Sequence, residues 1–205
     1  MQMREKLLLA LILIPLLSVT HACITSSDYS QSYVILMNGK EVGKEIVSEK
    51  TDRKGNLTCL SEQEMDAPSS KDKKRTIIRT KMVIPNGELF PVSYSLESST
   101  GASYDIKVVG RQIIKTLKQK GASQESATSL APGMSMLNPT VFHTFDYWIR
   151  QYDLKKGGQQ FFKTYLLPAG SNEQLSIFPL ETGIIKHEGK DLQLRNYRIE
   201  FREGL

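Results

Sequence analysis

Apolar and polar residues alternate with a period of two through much of the first half of the chain. Thr76, Ile78, Thr80, Met82 and Ile84 fall on one side of an extended segment, with Arg75, Arg79 and Lys81 on the other. Val92, Tyr94 and Leu96 alternate with Ser93, Ser95 and Glu97. After Thr100-Gly101 the pattern resumes as Tyr104, Ile106 and Val108 against Asp105 and Lys107. Successive side chains of a strand point to opposite faces, so this periodicity predicts antiparallel strands with one buried face and one wet face.

Turn residues divide the rest of the chain into similar pieces. Residues 33–37 read as an apolar strand, Asn38-Gly39 as a hairpin turn and 41–52 as the returning strand. Gly55-Asn56 then turns the chain into a strand at 57–65, so the three runs make a meander. Pro85-Asn86-Gly87 ends the strand that begins near Arg75, and Gly110-Arg111 reads as a bulge or turn before 112–118. Gly121 to Ala131 is expected to be a polar loop. Later strands are expected at 160–167, 173–180, 183–187 and 192–201, separated by turns at Pro168-Ala169-Gly170 and Glu188-Gly189-Lys190.

One stretch follows a helical period instead. Asn138 offers an N-cap and Pro139 suits the first helical position, while Val141, Phe142, Phe145, Trp148, Ile149 and Tyr152 form a single broad apolar stripe. Lys155-Lys156-Gly157-Gly158 is expected to end the helix, with cations near its C-terminus and glycine to stop it. An isolated amphipathic helix beside a long sheet is expected to bury its stripe against that sheet. The predicted fold is mainly β: a curved antiparallel sheet or open half-barrel of about ten strands packed on one α-helix.

The first residues follow neither pattern. Arg4-Glu5-Lys6 precedes an apolar run from Leu7 to Val19, and Ala22 stands before Cys23. A cationic head, a short apolar core and a small residue at the cut point describe an export signal. The run has about a dozen residues, against roughly 20 for a membrane-spanning helix, and it contains Pro15. The expected organisation is a signal peptide over 1–22, a flexible polar lead-in over 23–32 and a single β-rich domain over 33–205. Ala22-Cys23 matches a lipoprotein cleavage site, whereas Thr20-His21 departs from one. Secretion without a lipid is therefore the first reading, and acylation of Cys23 the second. Cys59 is the only other cysteine. In an oxidising compartment the two could form a disulfide; if Cys23 carries lipid, Cys59 is a small buried hydrophobe.

Charge and composition narrow the chemistry. The chain has 27 Lys and Arg against 22 Asp and Glu, a net charge of +5, with the two signs interspersed. The densest cationic run, Lys71-Asp72-Lys73-Lys74-Arg75, has no interleaved aromatics and reads as a solvated loop, so no nucleic-acid partner is expected. His143 and His187 are the histidines beyond the signal, and no Cys/His cluster with ligand spacing accompanies them, so neither a metal nor another cofactor is expected. His143 and Asp146 sit three apart and could share a helix face as base and orienting acid. No nucleophile motif accompanies them, so they read as a structural pair with His143 on the helix surface, and no catalytic residue is assigned. Met134 and Met136 precede the aromatic helix. Adaptable methionines beside Phe142, Phe145, Trp148 and Ile149 make a candidate lining for a hydrophobic ligand.

Tyr33 with Asn38-Gly39-Lys40 and Val42-Gly43, Pro91 leading a strand, the mid-chain helix and Leu167-Pro168-Ala169-Gly170 before the closing strands give an order of features that resembles bacterial exported domains built as antiparallel β half-barrels. In general architecture the chain also resembles the outer-membrane lipoprotein carrier and receptor proteins LolA and LolB. The resemblance covers roughly residues 33–201 and rests on turn signals, so it implies fold more than function. Together with the residue pattern, it leads to an exported periplasmic or outer-envelope domain. That domain is expected to be non-catalytic and to bind a hydrophobic group, lipid or envelope polymer. A structural or protein-interaction module of the envelope is the alternative, and an envelope hydrolase ranks below both. Membrane contact is expected only through acylated Cys23.

Overall fold

A computed structural model describes residues 28–37, 40–66, 75–187 and 189–202. The export signal, Cys23, the Asn38-Gly39 turn and the basic residues Lys71 to Lys74 lie outside the described residues. Eight strands form one antiparallel meander, each beside its neighbour in sequence: β1 (Asp28–Met37), β2 (Lys40–Thr51), β3 (Leu57–Asp66), β4 (Arg75–Ile84), β5 (Ser93–Ser98), β6 (Ser103–Val109), β7 (Gln112–Gln119) and β8 (Ala122–Ser129). After β9 (Met134–Leu137) and helix α1 (His143–Gln151) come β10 (Gln160–Leu166), β11 (Ser171–Pro179), β12 (Gly183–His187), β13 (Lys190–Leu194) and β14 (Tyr197–Arg202). A second sheet has the order β14-β11-β10-β9, with β9 parallel to β10, and β12 and β13 pair as a separate hairpin.

The mainly β class with one helix holds, and the long antiparallel sheet is present. The strand count differs: fourteen are described rather than about ten, and none of the sheets closes into a barrel. Residues 28–32, expected in the flexible lead-in, belong to β1 and pair with β2 from Asp28↔Lys50 onward. The span 192–201 splits at Arg195-Asn196, where the Asn196 side-chain amide donates to the carbonyl of Glu181 at 2.9 Å. Gly121 to Ala131 is largely strand, because β8 pairs residue for residue with β7, from Gln112↔Ser129 to Gln119↔Ala122. Its hairpin turn places Lys120 at φ 50° and Gly121 at φ 80°, the doubly positive geometry that suits the twist of a two-residue hairpin. Nearly all of β8 is exposed, so no apolar face existed to produce alternation.

The meander separates its two faces cleanly. Tyr33, Val47, Met82, Tyr94, Ile106 and Ile113 point inward into one core cluster together with Met134, Met136 and Tyr165. The outer face carries cross-strand charge pairs: Arg79 donates to Glu62 at 2.7 Å, and Lys118 meets Asp105 at 3.2 Å. Such exposed pairs contribute little to stability, at most about 1 kcal/mol each, but they keep this face solvated.

Helix α1 starts later than the sequence predicts. Asn138 is not its N-cap, because the Asn138 side chain is committed elsewhere. Its amide donates to the hydroxyls of Tyr94 at 3.0 Å and Tyr104 at 2.6 Å, and its Oδ1 accepts from the Thr140 N–H at 3.1 Å. Residues 138–142 therefore form turns, and Phe142 occupies the N-cap without a side-chain cap of its own. The helix also ends before the Lys-Lys-Gly-Gly signal. Tyr152 turns to extended backbone, and its hydroxyl donates to the Gly158 carbonyl at 2.7 Å.

Where β1 and β2 meet, the register shifts between Ile35 and Leu36, and Gly43 lies against β3. A Cβ on Gly43 would sit 2.2 Å from the Glu64 carbonyl oxygen, a backbone atom that cannot swing aside. Gly43→Ala is expected to destabilise the protein by ~1–3 kcal/mol, the usual cost of overpacking. Urea unfolding followed by tryptophan fluorescence measures the shift, and an unchanged midpoint would show that β2 and β3 can separate locally at no cost.

Candidate functional site

Two faces of α1 meet two different surfaces. At 100° per residue, Phe145, Trp148 and Tyr152 lie on the side opposite His143, Tyr147 and Arg150. The aromatic side packs mainly into the second sheet: Trp148 stacks edge-on against Phe162 at 5.3 Å, and Tyr152 against Tyr197 at 5.7 Å. Leu175 and Ile177 of β11 and Ile35 of β1 complete this cluster. The apolar stripe was expected against the long sheet, but that sheet instead receives the polar side of the helix.

That reception is chemically specific. Glu45 and Glu49 lie four apart on β2, on the same face as Val47. Glu45 spends both oxygens on one helix residue: the His143 backbone N–H donates to Oε2 at 2.9 Å, and the ring Nδ1 lies 2.5 Å from Oε1. A carboxylate only accepts, so the shared proton assigns Nδ1 as the donor. The same carboxylate satisfies an N–H that the helix start would otherwise leave unpaired. One step along both elements, the Tyr147 hydroxyl donates to Glu49 at 2.7 Å, and Arg150 reaches Glu49 at 3.1 and 3.3 Å. Arg150 also holds Asp146 at 2.5 Å and lies over the Tyr147 ring at 5.0 Å.

Cys59 completes the group. It is the β3 partner of Glu49 in register and faces inward, with no exposed surface. Glu45 is likewise fully buried and His143 is 1% exposed. The second ring nitrogen of His143, Nε2, has no hydrogen-bond partner of good geometry. Cys59 lies near enough to act electrostatically on both His143 and Tyr147.

The titrations follow from this packing. Burial alone lowers the pKa of His143, but hydrogen bonding and charge from Cys59 and Glu45 overcome it and raise the ring from 6.5 to about 10. Burial holds the Asp146 carboxyl above its ordinary range, with Arg150 opposing that rise. Burial, reinforced by Cys59 and Glu49, pushes the Tyr147 hydroxyl well above the ordinary tyrosine value. Tyr33 rises in the same way, through burial and the negative charge of Asp146.

The six residues proposed to line a ligand site divide between two packed clusters, Met134 and Met136 in one and Phe142, Phe145 and Trp148 in the other, with Ile149 in neither. Met134 and Met136 lie in β9, where every residue is buried, and the Trp148 indole N–H donates to the Met136 carbonyl at 3.3 Å. Phe142, Phe145 and Trp148 are buried, and Ile149 is partly so. Two open depressions are present among the described residues, and of the six only Met134 lines either. One, of about 520 Å³, opens on the outer face between Ile46, Leu60, Arg79 and Lys81. The other, of about 470 Å³, lies beside Phe90, Arg111, Leu130 and Met134.

Cys59 is a free thiol among the described residues, and Cys23, the other half of the disulfide alternative, lies outside them. His143 is not the surface residue expected, since its ring is enclosed between helix and sheet; its acid partner is Glu45 on a distant strand, not Asp146. His187 closes β12, and among the described residues no three His, Cys, Asp or Glu side chains form a metal-binding group. Sequence reasoning missed Glu45 and Glu49. Their only signal was an acid on the same strand face as Val47, and Ile46 on the opposite face obscured that phase.

The fold and site define a class: a mainly β protein whose long antiparallel meander grips one short helix through a buried carboxylate–imidazole pair. No family model, curated protein or solved structure matches the chain.

Because the folded state keeps the His143 proton up to about 10 and the unfolded ring releases it near 6.5, the folded state binds more protons between those values. The stability contributed by this group is fully present below about pH 6.5 and is lost as pH rises through about 10. Urea titrations at intervals from pH 6 to 9.5 are expected to show falling stability, with a shallower decline in Glu45→Gln. Glu45→Ala, which leaves the imidazole unpaired, is expected to cost ~3–5 kcal/mol at pH 7. Equal slopes in Glu45→Gln and the parent would assign the pH dependence to other groups.

Proposed function

We propose that the protein is an exported cell-envelope domain acting as a non-catalytic interaction module, which takes an extended segment of a protein partner along the edge of β8. The observation that carries this reading is the exchange of surfaces. The inner face of the meander, where a hydrophobic ligand would sit, is met by the polar side of the chain's own helix, with His143 only 1% exposed. The last strand of the meander, by contrast, is exposed along nearly its whole length and has a sheet neighbour on one side only.

The chemistry of β8 suits strand addition. Proteins usually protect a sheet edge with lysine, proline, a bulge or an inward charge. Residues 122–129, Ala-Ser-Gln-Glu-Ser-Ala-Thr-Ser, contain neither lysine nor proline, and the pairing with β7 runs without a register break. Apart from Gln124 and Glu125 these side chains are small and uncharged, which lets a partner backbone approach, and main-chain hydrogen bonds then supply the affinity. The eight-stranded meander around α1 supports reading the fold as an open half-barrel of the kind the resemblance implies. Export rests on the sequence pattern from Arg4 to Ala22, and membrane attachment on acylation of Cys23.

Two measurements test this reading. A photo-crosslinking side chain at Gln124 is expected to trap one discrete partner in envelope fractions, whereas the same group at Ser95 on the outer face traps none. Equal capture at both positions, or none at Gln124, would remove the edge from the account. Native mass spectrometry of the purified protein is expected to give the mass of the chain alone. A co-purified lipid would instead restore the hydrophobic-ligand reading, with α1 displaced to admit it.

The mature chain is expected to begin at Cys23, and its intact mass decides the anchoring. An added diacylglyceryl group fixes the domain to a membrane surface, and an unmodified residue leaves it free. A chain that retains Met1 to Ala22 would contradict export by cleavage.

A further inference from the structure

Resting on the reading of β8 as an interaction edge, we propose that its partner is β8 of a second copy of this chain, paired antiparallel about a two-fold axis at Ser126. The other edges among the described strands are guarded. β1 has a register break between Ile35 and Leu36, β9 is buried throughout, and β12, β13 and β14 carry Lys186, Lys190, Arg198 and Arg202. β8 has no such guard: its pairing with β7 is unbroken, residues 122–127 are all exposed, and Glu125 is its single charge.

The turn from β7 determines which backbone groups of β8 are available. A two-residue hairpin closes on a hydrogen-bonded pair, here Gln119 with Ala122, and such pairs recur at every second residue. The Leu130 N–H, which donates to the Arg111 carbonyl at 2.8 Å, keeps the same phase beyond the far end of the strand. Ala122, Gln124, Ser126 and Thr128 therefore turn their N–H and C=O groups towards β7. Ser123, Glu125, Ala127 and Ser129 turn theirs to the open edge.

Two-fold antiparallel pairing sets one residue opposite itself, and the sequence selects which. Centring on Glu125 places two carboxylates face to face, which is destabilising. Centring on Gln124 or Ala127 carries at least one open-edge residue past the end of the partner's strand. Centring on Ser126 pairs Ser123 with the partner's Ser129 and Glu125 with the partner's Ala127, so every open-edge residue of β8 exchanges both of its hydrogen bonds and no like charges meet. Ser126 then meets its own copy at a non-hydrogen-bonded position, about 4.5 Å between Cα atoms, where a small side chain fits. The rotation keeps both inner faces on one side, so two eight-stranded meanders become one continuous sheet. A strand of eight residues makes a small interface, so the monomer prevails at roughly 5 µM, as in native mass spectrometry, and the dimer fills at hundreds of micromolar.

Sedimentation velocity of the purified protein under reducing conditions, from about 5 to 500 µM, is expected to show a shift from monomer to dimer. Ala127→Pro removes an open-edge N–H and no bond to β7, so it is expected to abolish the shift while leaving the melting temperature of the monomer unchanged. The register is read by oxidation in a Cys23→Ser background, where Cys59 is buried. Ser126→Cys is expected to form an intermolecular disulfide at least about tenfold faster than Gln124→Cys, whose two copies fall beyond the ~7 Å between Cα atoms that a disulfide spans. Self-pairing is overturned by a monomer at the highest concentration, by a folded Ala127→Pro that dimerises like its parent, or by equal oxidation rates at the two positions. If Ala127→Pro does not fold, the oxidation rates decide. A protein that stays monomeric while Gln124 captures a different polypeptide overturns self-pairing and leaves β8 as an interaction edge; a monomer with no capture at Gln124 removes both.

Discussion

The pairing of Glu45 with His143 is the constraint on which the arrangement of the domain turns. Removing a carboxylate and an imidazole from water costs several kcal/mol per charged group unless hydrogen bonds replace the lost solvent. Here both carboxylate oxygens and two donors of a single residue are satisfied together. Only one placement of α1 over β2 permits this. A neighbouring register would leave the charge of Glu45 buried without its partner, so the pair acts as a geometric lock on the docking of helix to sheet. Glu49, Tyr147 and Arg150 repeat the logic one turn further along, nearer to solvent and correspondingly less exacting.

This lock reverses the usual division of labour in a helix-on-sheet fold. The long meander is only partly an apolar platform. Its inner face carries Gln31, Glu45, Ser61, Gln63 and Thr80 among the hydrophobes, and Ser61 bonds Thr80 at 2.8 Å. The smaller sheet takes the aromatic side of the helix and so supplies much of the nonspecific adhesion. One sheet contributes adhesion and the other orientation, and α1 is the element common to both. Asn138 ties its approach to Tyr94 and Tyr104 in the middle of the meander, so the entry to the helix is fixed by polar contacts as well.

How much of this was legible follows from what each interaction leaves in the sequence. Strands β4 to β6 were readable because each has one wet and one buried face, and alternation records that difference directly. The turn at Pro168-Ala169-Gly170 was readable because local backbone geometry demands those residues. Strand β8 was not, since both of its faces are wet and its partner determines its conformation. Along β2, exposed Ile46 and buried Val47 are adjacent, so hydrophobicity alone does not assign the inward face. The candidate site was the least legible part. His143 was noticed but paired with Asp146, a neighbour along the helix, because its true partner lies 98 residues earlier. The aromatic residues of α1 were correctly grouped, yet grouping does not distinguish a ligand lining from a packed core. That distinction depends on what lies across from them.

The capping of α1 by a strand so far upstream also bears on the order in which the molecule assembles. Helices are ordinarily early, local structures, but one of nine residues does not persist alone in water. This one has no cap of its own at Phe142, and its first N–H finds its acceptor only on β2. The helix is thus a long-range element in kinetic terms. It gains its stability only after β2 has taken its place in the meander.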